Sequence, residues 1–335
     1  MSLKICFFGS QPYDEDSFKE ANKAYGLDLI FYKGNLNKNN IVLAKECDAV
    51  CVFVNDTVDR EVITKLAEYG VKLIALRCAG FNNVDLEAAE EFGIKVVRVP
   101  AYSPYAVAEH TVALMLALNR RIPRATWRTR DGNFSLHGLL GFDMHGKTAG
   151  IIGTGRIAKI LIQILKGFGL NILAYDLFPD TKFAAENDIK YVTLDELYKE
   201  ADIISLHCPL TEDTKYLIND YSISKMKDGV MIVNTGRGQL INTNALIAGL
   251  KSKKVGWAGL DVYEEEGDYF YQDKSESIID DDVLARLLSF NNVIVTSHQA
   301  FFTKEALNNI SLTTLNNIKD FFTKNELPNE VKINE

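Results

Sequence analysis

Apolar residues along this chain fall into short runs that alternate with segments of helical periodicity. The runs Lys4–Gly9, Ala49–Val54 and Leu73–Leu76 are nearly continuous, which is typical of strands covered on both faces. Between them, Asp14–Tyr25 and Asp59–Tyr69 carry apolar residues at helical spacing, and each is followed by a glycine. This alternation predicts a parallel sheet with helices on both faces.

A second strand–helix series occupies the middle of the chain, from Lys147 to about Ser297. A long helix is predicted before it over Pro104–Asn119, because Ser103 can cap that helix and proline suits the first helical position. A last helical pattern, Glu305–Phe322, lies beyond the second series. We expect this helix to pack on the first domain, which would make that domain discontinuous in sequence.

The length of 335 residues supports division into two domains, because a single core rarely grows to that size. The predicted fold class is α/β, with two Rossmann-like or flavodoxin-like parallel-sheet domains and a cleft between them. Residues 1–101 plus 300–335 are expected to form one domain, and residues 102–299 the other. The Ser103–Asn119 helix and the less periodic segment Arg120–Phe142 are expected to form the contact surface of a homodimer or homotetramer, through Trp127, Phe134, Leu139 and Leu140.

Charge and composition exclude several classes of partner. The formal net charge of −8 argues against nucleic acid, which requires a basic face. The apolar run Val112–Leu118 is too short to span a bilayer, so no membrane association is expected. The N-terminal sequence MSLKICFFGS predicts a first strand rather than a secretion signal, and the five cysteines form no CxxC pair. We therefore expect reduced cysteines, a cytoplasmic location and no metal site.

The most specific motif lies at the start of the second series. The predicted strand Thr148–Ile152 leads directly into Gly153-Thr154-Gly155-Arg156-Ile157-Ala158, and a helix follows to about Phe168. Gly153 permits a tight turn, Gly155 lets the backbone approach a pyrophosphate, and a small third residue lets the helix pack closely on the strand. Between a strand and a helix, this pattern predicts a dinucleotide-binding unit.

Asp176, at the end of the next predicted strand, indicates which dinucleotide binds. Its carboxylate can accept hydrogen bonds from the ribose hydroxyls and would repel a 2′-phosphate. No arginine follows in Leu177-Phe178-Pro179. The sequence therefore predicts NAD rather than NADP as the cofactor.

Three later strands end in polar residues that suit one reaction. Arg237 follows Val230–Val233, Asp261 and the Glu264–Glu266 cluster follow Trp257–Leu260, and His298 follows Val293–Val295. Ligands of open α/β sheets bind beyond the carboxyl ends of the strands, so these residues can converge. Arginine suits a substrate carboxylate, histidine can protonate a carbonyl oxygen, and a glutamate can hold the imidazole, which are the needs of 2-oxo acid reduction. The residue types alone do not distinguish among Glu264, Glu265 and Glu266.

The remaining histidines are interpreted differently. His110 lies within the long predicted helix and is interpreted as structural. His137 and His145 lie in or beside the irregular segment. His207 ends a predicted strand beside the dinucleotide unit and is expected to line NAD without being catalytic.

Several stretches together resemble the D-2-hydroxyacid dehydrogenase family over essentially the whole chain. They are Leu76–Asp85, Val97–Pro104, Gly146–Gly150, Val233–Gly238, Asp261–Tyr263 and Ser297–Phe301. Two departures are that Gly236 occupies a position where the family often has serine, and that Ala158 replaces the commoner third glycine. The resemblance implies that residues 1–101 with 300–335 form the substrate-binding domain and residues 102–299 the NAD-binding domain.

The resemblance also implies roles for individual positions. Arg237 matches the arginine that binds the substrate carboxylate, Glu266 the glutamate that pairs with the histidine, and His298 the proton donor. The implied substrate contacts are Cys78, Ala79, Gly80, Tyr102 and Phe301 in addition to Arg237. The implied or predicted cofactor contacts are Gly153, Gly155, Arg156, Ile157, Asp176, His207, Cys208, Pro209, Thr214, Thr235, Gly236 and Asp261, the last near the nicotinamide carboxamide.

Within the family, the resemblance is greatest to members that reduce pyruvate to D-lactate with NADH, and this is the expected activity. One alternative is a dehydrogenase for another D-2-hydroxy acid, of the 2-hydroxyisocaproate or glycerate type. The other is a non-enzymatic NAD-sensing scaffold of the corepressor kind. The D stereochemistry follows from the resemblance alone.

Overall fold

The computed structural model describes residues 3–324 and 327–333. The strands in this part of the chain are β1 Lys4–Phe7, β2 Asp28–Phe31, β3 Ala49–Val52, β4 Leu73–Leu76, β5 Lys95–Val97, β6 Thr148–Ile152, β7 Asn171–Tyr175, β8 Lys190–Tyr191, β9 Ile203–Leu206, β10 Val230–Asn234, β11 Val255–Leu260 and β12 Val293–Val295. The α-helices are α1 Pro12–Asn22, α2 Arg60–Glu68, α3 Leu86–Glu91, α4 Pro104–Asn119, α5 Ile122–Arg130, α6 Arg156–Gly167, α7 Thr181–Asn187, α8 Leu194–Glu200, α9 Asp220–Lys225, α10 Thr243–Lys251, α11 Asp282–Leu288 and α12 Lys304–Lys324.

The chain divides into two compact units, one of which is discontinuous. The first comprises Met1–Ser103 and Phe302–Glu335, and the second comprises Pro104–Phe301. In the first unit, five parallel strands are ordered β2-β1-β3-β4-β5, the flavodoxin-like order. Both β3 and β4 are fully buried, because helices and loops cover the two faces of the sheet. The C-terminal helix α12 packs against α1 in this unit.

The second unit has a seven-stranded parallel sheet in the order β12-β11-β10-β9-β6-β7-β8. Counted from its own first strand, this is the Rossmann order with one added edge strand. The order reverses direction between β6 and β9, so the crevice that such sheets use for ligands opens at the carboxyl ends of these two strands. The two parallel-sheet domains predicted from the sequence are thereby confirmed as the fold class.

One helix was not expected from the hydrophobic pattern. Residues 120–142 are predicted as irregular, whereas the structure has the helix α5 Ile122–Arg130 there. No residue of α5 is buried in the unit to which it belongs. A helix without a buried face does not produce the apolar periodicity from which helices are predicted, so the sequence pattern could not reveal it.

The cysteine expectation is wrong for two residues. Cys6 and Cys47 form a disulfide in the first unit, with Cα atoms 6.0 Å apart. Sequence spacing gave no sign of this pair, because the two residues are 41 positions apart and meet only when β1 packs beside the segment before β3. Cys51, Cys78 and Cys208 are not part of this disulfide, and the first two are buried. Cysteine usage therefore no longer supports a reducing compartment.

Candidate active site

The turn after β6 has the shape that a dinucleotide requires. Gly153 has φ +87°, and a Cβ at this position would lie 2.5 Å from the backbone nitrogen of Cys208, so only glycine fits. Gly155 is the N-cap of α6, and no atom lies within 4 Å of where its Cβ would be. Ala158 is fully buried and lets α6 pack closely on the sheet. The open N-terminal amides of α6 therefore fit a pyrophosphate.

Asp176, at the end of β7, is oriented by three hydrogen bonds. Its Oδ2 accepts from the Thr154 backbone N–H at 2.6 Å and from the Thr154 hydroxyl at 2.9 Å, and its Oδ1 accepts from the Phe178 N–H at 2.9 Å. Burial would raise the pKa of Asp176, but the bonds from Phe178 and Thr154 outweigh it and lower that pKa. The carboxylate is thus ionised and held in place. The Thr154 hydroxyl in turn lies 2.8 Å from the Tyr191 hydroxyl on β8, a contact that the motif alone could not reveal.

The other predicted cofactor residues of this unit lie at the same edge of the sheet. His207 and Cys208 follow β9, and Nε2 of His207 lies 2.8 Å from the Ser205 hydroxyl. Burial lowers the pKa of His207 to about 4, so its imidazole is neutral at pH 7. Arg156 and Ile157 lie in the first turn of α6, and Thr235 and Gly236 follow β10. Pro209 and Thr214 follow β9, where the Thr214 hydroxyl donates a 2.7 Å hydrogen bond to the Pro209 carbonyl.

Arg237 follows β10 in a turn whose backbone is tightly constrained. Asn234 accepts the N–H of Gly236 at 3.0 Å through Oδ1 and donates to the carbonyl of Arg237 at 2.8 Å through Nδ2. A Cβ at Gly238 would overlap the Tyr263 backbone, so glycine is required there. The Arg237 guanidinium is partly exposed and donates to the Gly236 carbonyl at 2.9 Å. Its remaining N–H groups can bind a carboxylate in a fork.

The geometry separates the three glutamates that the sequence left as alternatives. Glu264 accepts the Thr243 N–H at 2.6 Å, at the start of α10, and raises the pKa of Tyr216 through a hydrogen bond. Glu265 is exposed. Glu266 Oε1 lies 2.7 Å from Nδ1 of His298, and its Oε2 accepts the Tyr263 N–H at 3.1 Å. Glu266 is therefore the glutamate of this cluster that is paired with the histidine.

His298 follows β12 and has a left-handed backbone, with φ +53°. Its N–H donates to the Asp261 carbonyl at 2.7 Å, and its carbonyl accepts the Tyr271 hydroxyl at 2.9 Å. Histidine tolerates this backbone region better than most residues, but the conformation still has to be maintained by its surroundings. Tyr271 lies in a loop without apolar periodicity, so no sequence pattern indicates its contact with His298.

Asp261 joins the end of β11 to the segment that carries His298. The residue is fully buried, and its carboxylate accepts the Gln299 N–H at 2.9 Å, the Ala300 N–H at 2.8 Å and the Thr296 hydroxyl at 2.5 Å. Burial would raise the pKa of Asp261, but hydrogen bonds from His110, Thr296 and these two amides lower it. The ionised carboxylate is thus the common acceptor for the Thr296 side chain before His298 and for two backbone amides after it.

The predicted substrate contacts divide between the units. Cys78, Ala79, Gly80 and Tyr102 belong to the first unit, where the first three follow β4. The Cys78 thiol donates to the Gly80 carbonyl at 3.2 Å, and the Tyr102 carbonyl accepts the Asn309 side chain at 2.7 Å. Phe301 is buried at the end of the second unit, which also contains Arg237, Glu266 and His298.

The described residues hold neither a candidate metal site nor a candidate membrane-spanning helix. Within residues 3–324 and 327–333, no group of three or more His, Cys, Asp or Glu side chains could hold a metal ion. In the same part of the chain, no helix has the length and apolar character needed to cross a membrane.

Comparison with known proteins gives the class of this protein. The profile of the D-isomer specific 2-hydroxyacid dehydrogenase, NAD binding domain, matches residues 112–300. D-lactate dehydrogenase of Escherichia coli K12 is 51% identical over 329 residues, which cover 98% of this chain and 100% of the relative. The apo-structure of D-lactate dehydrogenase from Escherichia coli matches with TM-score 0.91 at 49% identity, covering 98% of this chain and 100% of that one. The pyruvate reductase of Chlamydomonas reinhardtii matches with TM-score 0.93 at 46% identity, covering 98% of each chain.

The chain belongs to the D-isomer specific 2-hydroxyacid dehydrogenase family. It is an oxidoreductase with NAD as its cofactor, and its second unit contains the NAD-binding domain. The resemblance inferred from the motifs is thereby confirmed.

Proposed function

We propose that this chain is a D-lactate dehydrogenase that reduces pyruvate to D-lactate with NADH. The observation that carries the proposal is the 2.7 Å pair of His298 Nδ1 and Glu266 Oε1, on the same sheet edge as Arg237. These residues follow β12, β11 and β10, which are neighbouring parallel strands, so their carboxyl ends meet at one edge. The Escherichia coli relative is named D-lactate dehydrogenase and aligns with this chain over its full length, which supports pyruvate as the substrate.

Each residue of this set has a distinct part in the proposed reaction. Arg237 binds the pyruvate carboxylate as a planar fork, with the residues after β4, Tyr102 and Phe301 proposed as further substrate contacts. His298 donates a proton from Nε2 to the keto oxygen. Glu266 accepts Nδ1–H, which orients the ring. When bound, NADH supplies the hydride that reduces C2 of pyruvate.

The test is a steady-state panel of 2-oxo acids with NADH, followed by chiral analysis of the product. The expected result is that kcat/KM is highest for pyruvate and that the product is D-lactate. A larger 2-oxo acid as the best substrate would replace the proposal with a different D-2-hydroxyacid dehydrogenase. Tight NADH binding without turnover of any 2-oxo acid would indicate the non-enzymatic scaffold instead.

The cofactor preference is proposed to depend on Asp176. We expect kcat/KM to be higher with NADH than with NADPH. Asp176→Asn should lower the ratio of kcat/KM with NADH to kcat/KM with NADPH at least roughly tenfold, a change of about 1.4 kcal/mol. The physical reason is that a 2′-phosphate meets an ionised carboxylate in the wild type and a neutral amide in the variant. Steady-state kinetics with both cofactors measures the ratio.

The matched control is Tyr191→Phe. It removes the hydroxyl 2.8 Å from Thr154 but leaves the Asp176 charge in place, so KM should rise for both cofactors with the ratio preserved. A wild type that turns over faster with NADPH than with NADH, at equal low concentrations, would refute the assignment to Asp176.

The protein is also proposed to be a homodimer or homotetramer formed through residues 120–142. This segment exposes large apolar side chains, including Trp127 at 65%, Phe134 at 76% and Leu140 at 88% exposure. Several large exposed apolar side chains in one segment are typical of an interface. Light scattering should give at least a dimer for the wild type and a smaller species for the double variant Phe134→Asp, Leu140→Asp.

The control is Tyr221→Asp, which places the same charge at an exposed aromatic residue on α9. It should leave the molar mass unchanged. A monomeric wild type would refute the proposed interface.

A cytoplasmic location is the last part of the proposal. It is supported by the cofactor, because cells keep their NADH inside. Fractionation of the source cells, with the enzyme activity followed in each fraction, tests it.

A further inference from the structure

A chain of hydrogen bonds links a helix of the second unit to the segment that carries His298. His110 lies on α4, and its Nε2 is 3.2 Å from the Thr296 hydroxyl and 3.4 Å from Asp261 Oδ1. The Thr296 hydroxyl lies 2.5 Å from the same Oδ1. Asp261 then accepts the amides of Gln299 and Ala300. This cluster uses no residue of the proposed Arg237–Glu266–His298 set.

The direction of the hydrogen bonds follows from the number of protons available. Asp261 is ionised and can only accept, so the single proton of the Thr296 hydroxyl is committed to Oδ1. The Thr296 oxygen can then only accept from Nε2 of His110. His110 must therefore carry a proton on Nε2, and the polarity runs from His110 through Thr296 to Asp261.

The consequence for His298 is conformational. Its φ of +53° is a left-handed value that strains a residue other than glycine. The residues on both sides of it, Thr296 and Gln299, are hydrogen-bonded to one buried carboxylate. A buried carboxylate is stable only when its charge is offset by donors, and His110 is a side chain outside this segment whose Nε2–H acts on it through the Thr296 hydroxyl.

We propose that His110 is a positioning residue for His298, acting through Thr296 and Asp261 to hold the left-handed backbone that aims the imidazole. The inference rests on the proposed function, since it assigns a purpose to the orientation of His298. A displacement of about 1 Å at a reacting group can reduce a rate roughly a hundredfold, so removal of the His110 Nε2 donor should lower kcat.

Two pairs of substitutions test the proposal by kinetics. His110→Leu and Thr296→Val remove the donor and the relay, whereas His110→Gln and Thr296→Ser retain an N–H and a hydroxyl. We expect the first pair to lower kcat for pyruvate at least about tenfold, with KM for NADH near wild type and a melting temperature lower by only a few degrees, and the second pair to stay within about threefold of wild-type kcat. In a His298→Asn background, His110→Leu should not lower kcat any further, because its effect on kcat depends on His298. His145→Gln, at an exposed histidine of the same unit, is the control.

A second measurement does not depend on activity. Hydrogen exchange of residues 296–301, followed by mass spectrometry, should accelerate at least about tenfold in His110→Leu and remain slow in His110→Gln. Turnover and exchange in His110→Leu that both match wild type would overturn the inference, as would equal losses in the Leu and Gln variants. If the wild type reduces no 2-oxo acid, the proposed function fails, while the exchange result still decides whether His110 holds this segment.

Discussion

His298→Ala and His298→Asn are both expected to lower kcat for pyruvate reduction by about a hundredfold or more, the usual contribution of a positioned acid. In either variant, no group remains to protonate the keto oxygen near neutral pH. Asparagine is the sharper substitution, because it tolerates the left-handed backbone at position 298 and so removes the acid without adding strain. Steady-state kinetics with saturating NADH measures the loss.

The binding of NADH serves as the internal control for these variants. Cofactor affinity, measured by fluorescence, should stay within about threefold of wild type, because Gly153 and Asp176 lie after other strands. His145→Gln provides a control histidine and should leave turnover unchanged. Near-normal reduction of pyruvate by His298→Asn would remove His298 from the proposed role.

Arg237→Gln is expected to reduce kcat/KM for pyruvate at least roughly thirtyfold, which corresponds to about 2 kcal/mol for loss of the charge partner of the substrate carboxylate. The substrate carboxylate would lose its fork of donors, so most of the loss should appear in KM. Arg237→Lys should recover part of the affinity, because lysine restores the charge but not the planar pair of hydrogen bonds. The measurement is initial-rate kinetics over a range of pyruvate concentrations.

A matched control for the charge change is available on α11. Arg286→Gln removes an exposed arginine whose guanidinium stacks on Phe290 and should leave both kcat and KM as in wild type. If Arg237→Gln binds pyruvate as the wild type does, the carboxylate must be held by another group.

The parts of the site predictable from sequence are those in which one strand exit carries its own signal. Gly153, Asp176, Arg237 and His298 each follow an apolar run, so their place at the edge of a parallel sheet follows from local pattern and topology. The choice of Glu266 over its two neighbours required coordinates, because three consecutive carboxylates differ only in the direction of their side chains. Chemistry alone could not distinguish them.

The parts that could not be predicted are contacts between distant segments of the chain. His110 and Thr296 are 186 residues apart, and Thr154 and Tyr191 are 37 residues apart. Such pairs form because strands and helices pack side by side, and no spacing rule encodes them. The Cys6–Cys47 disulfide is a third case of this kind. The helix α5 was missed for the opposite reason, since it has no buried face to leave a pattern.

The left-handed backbone conformation at position 298 also restricts which residues are tolerated there. A φ of +53° is accommodated most easily by glycine, asparagine, aspartate and histidine. Among these four, histidine alone has an unperturbed pKa that lets it exchange a proton near neutral pH. A saturation library at this position should therefore yield several folded variants and a single active one. Drift at this position would inactivate the enzyme while leaving its fold intact, which is one route by which a dehydrogenase can become a binding protein.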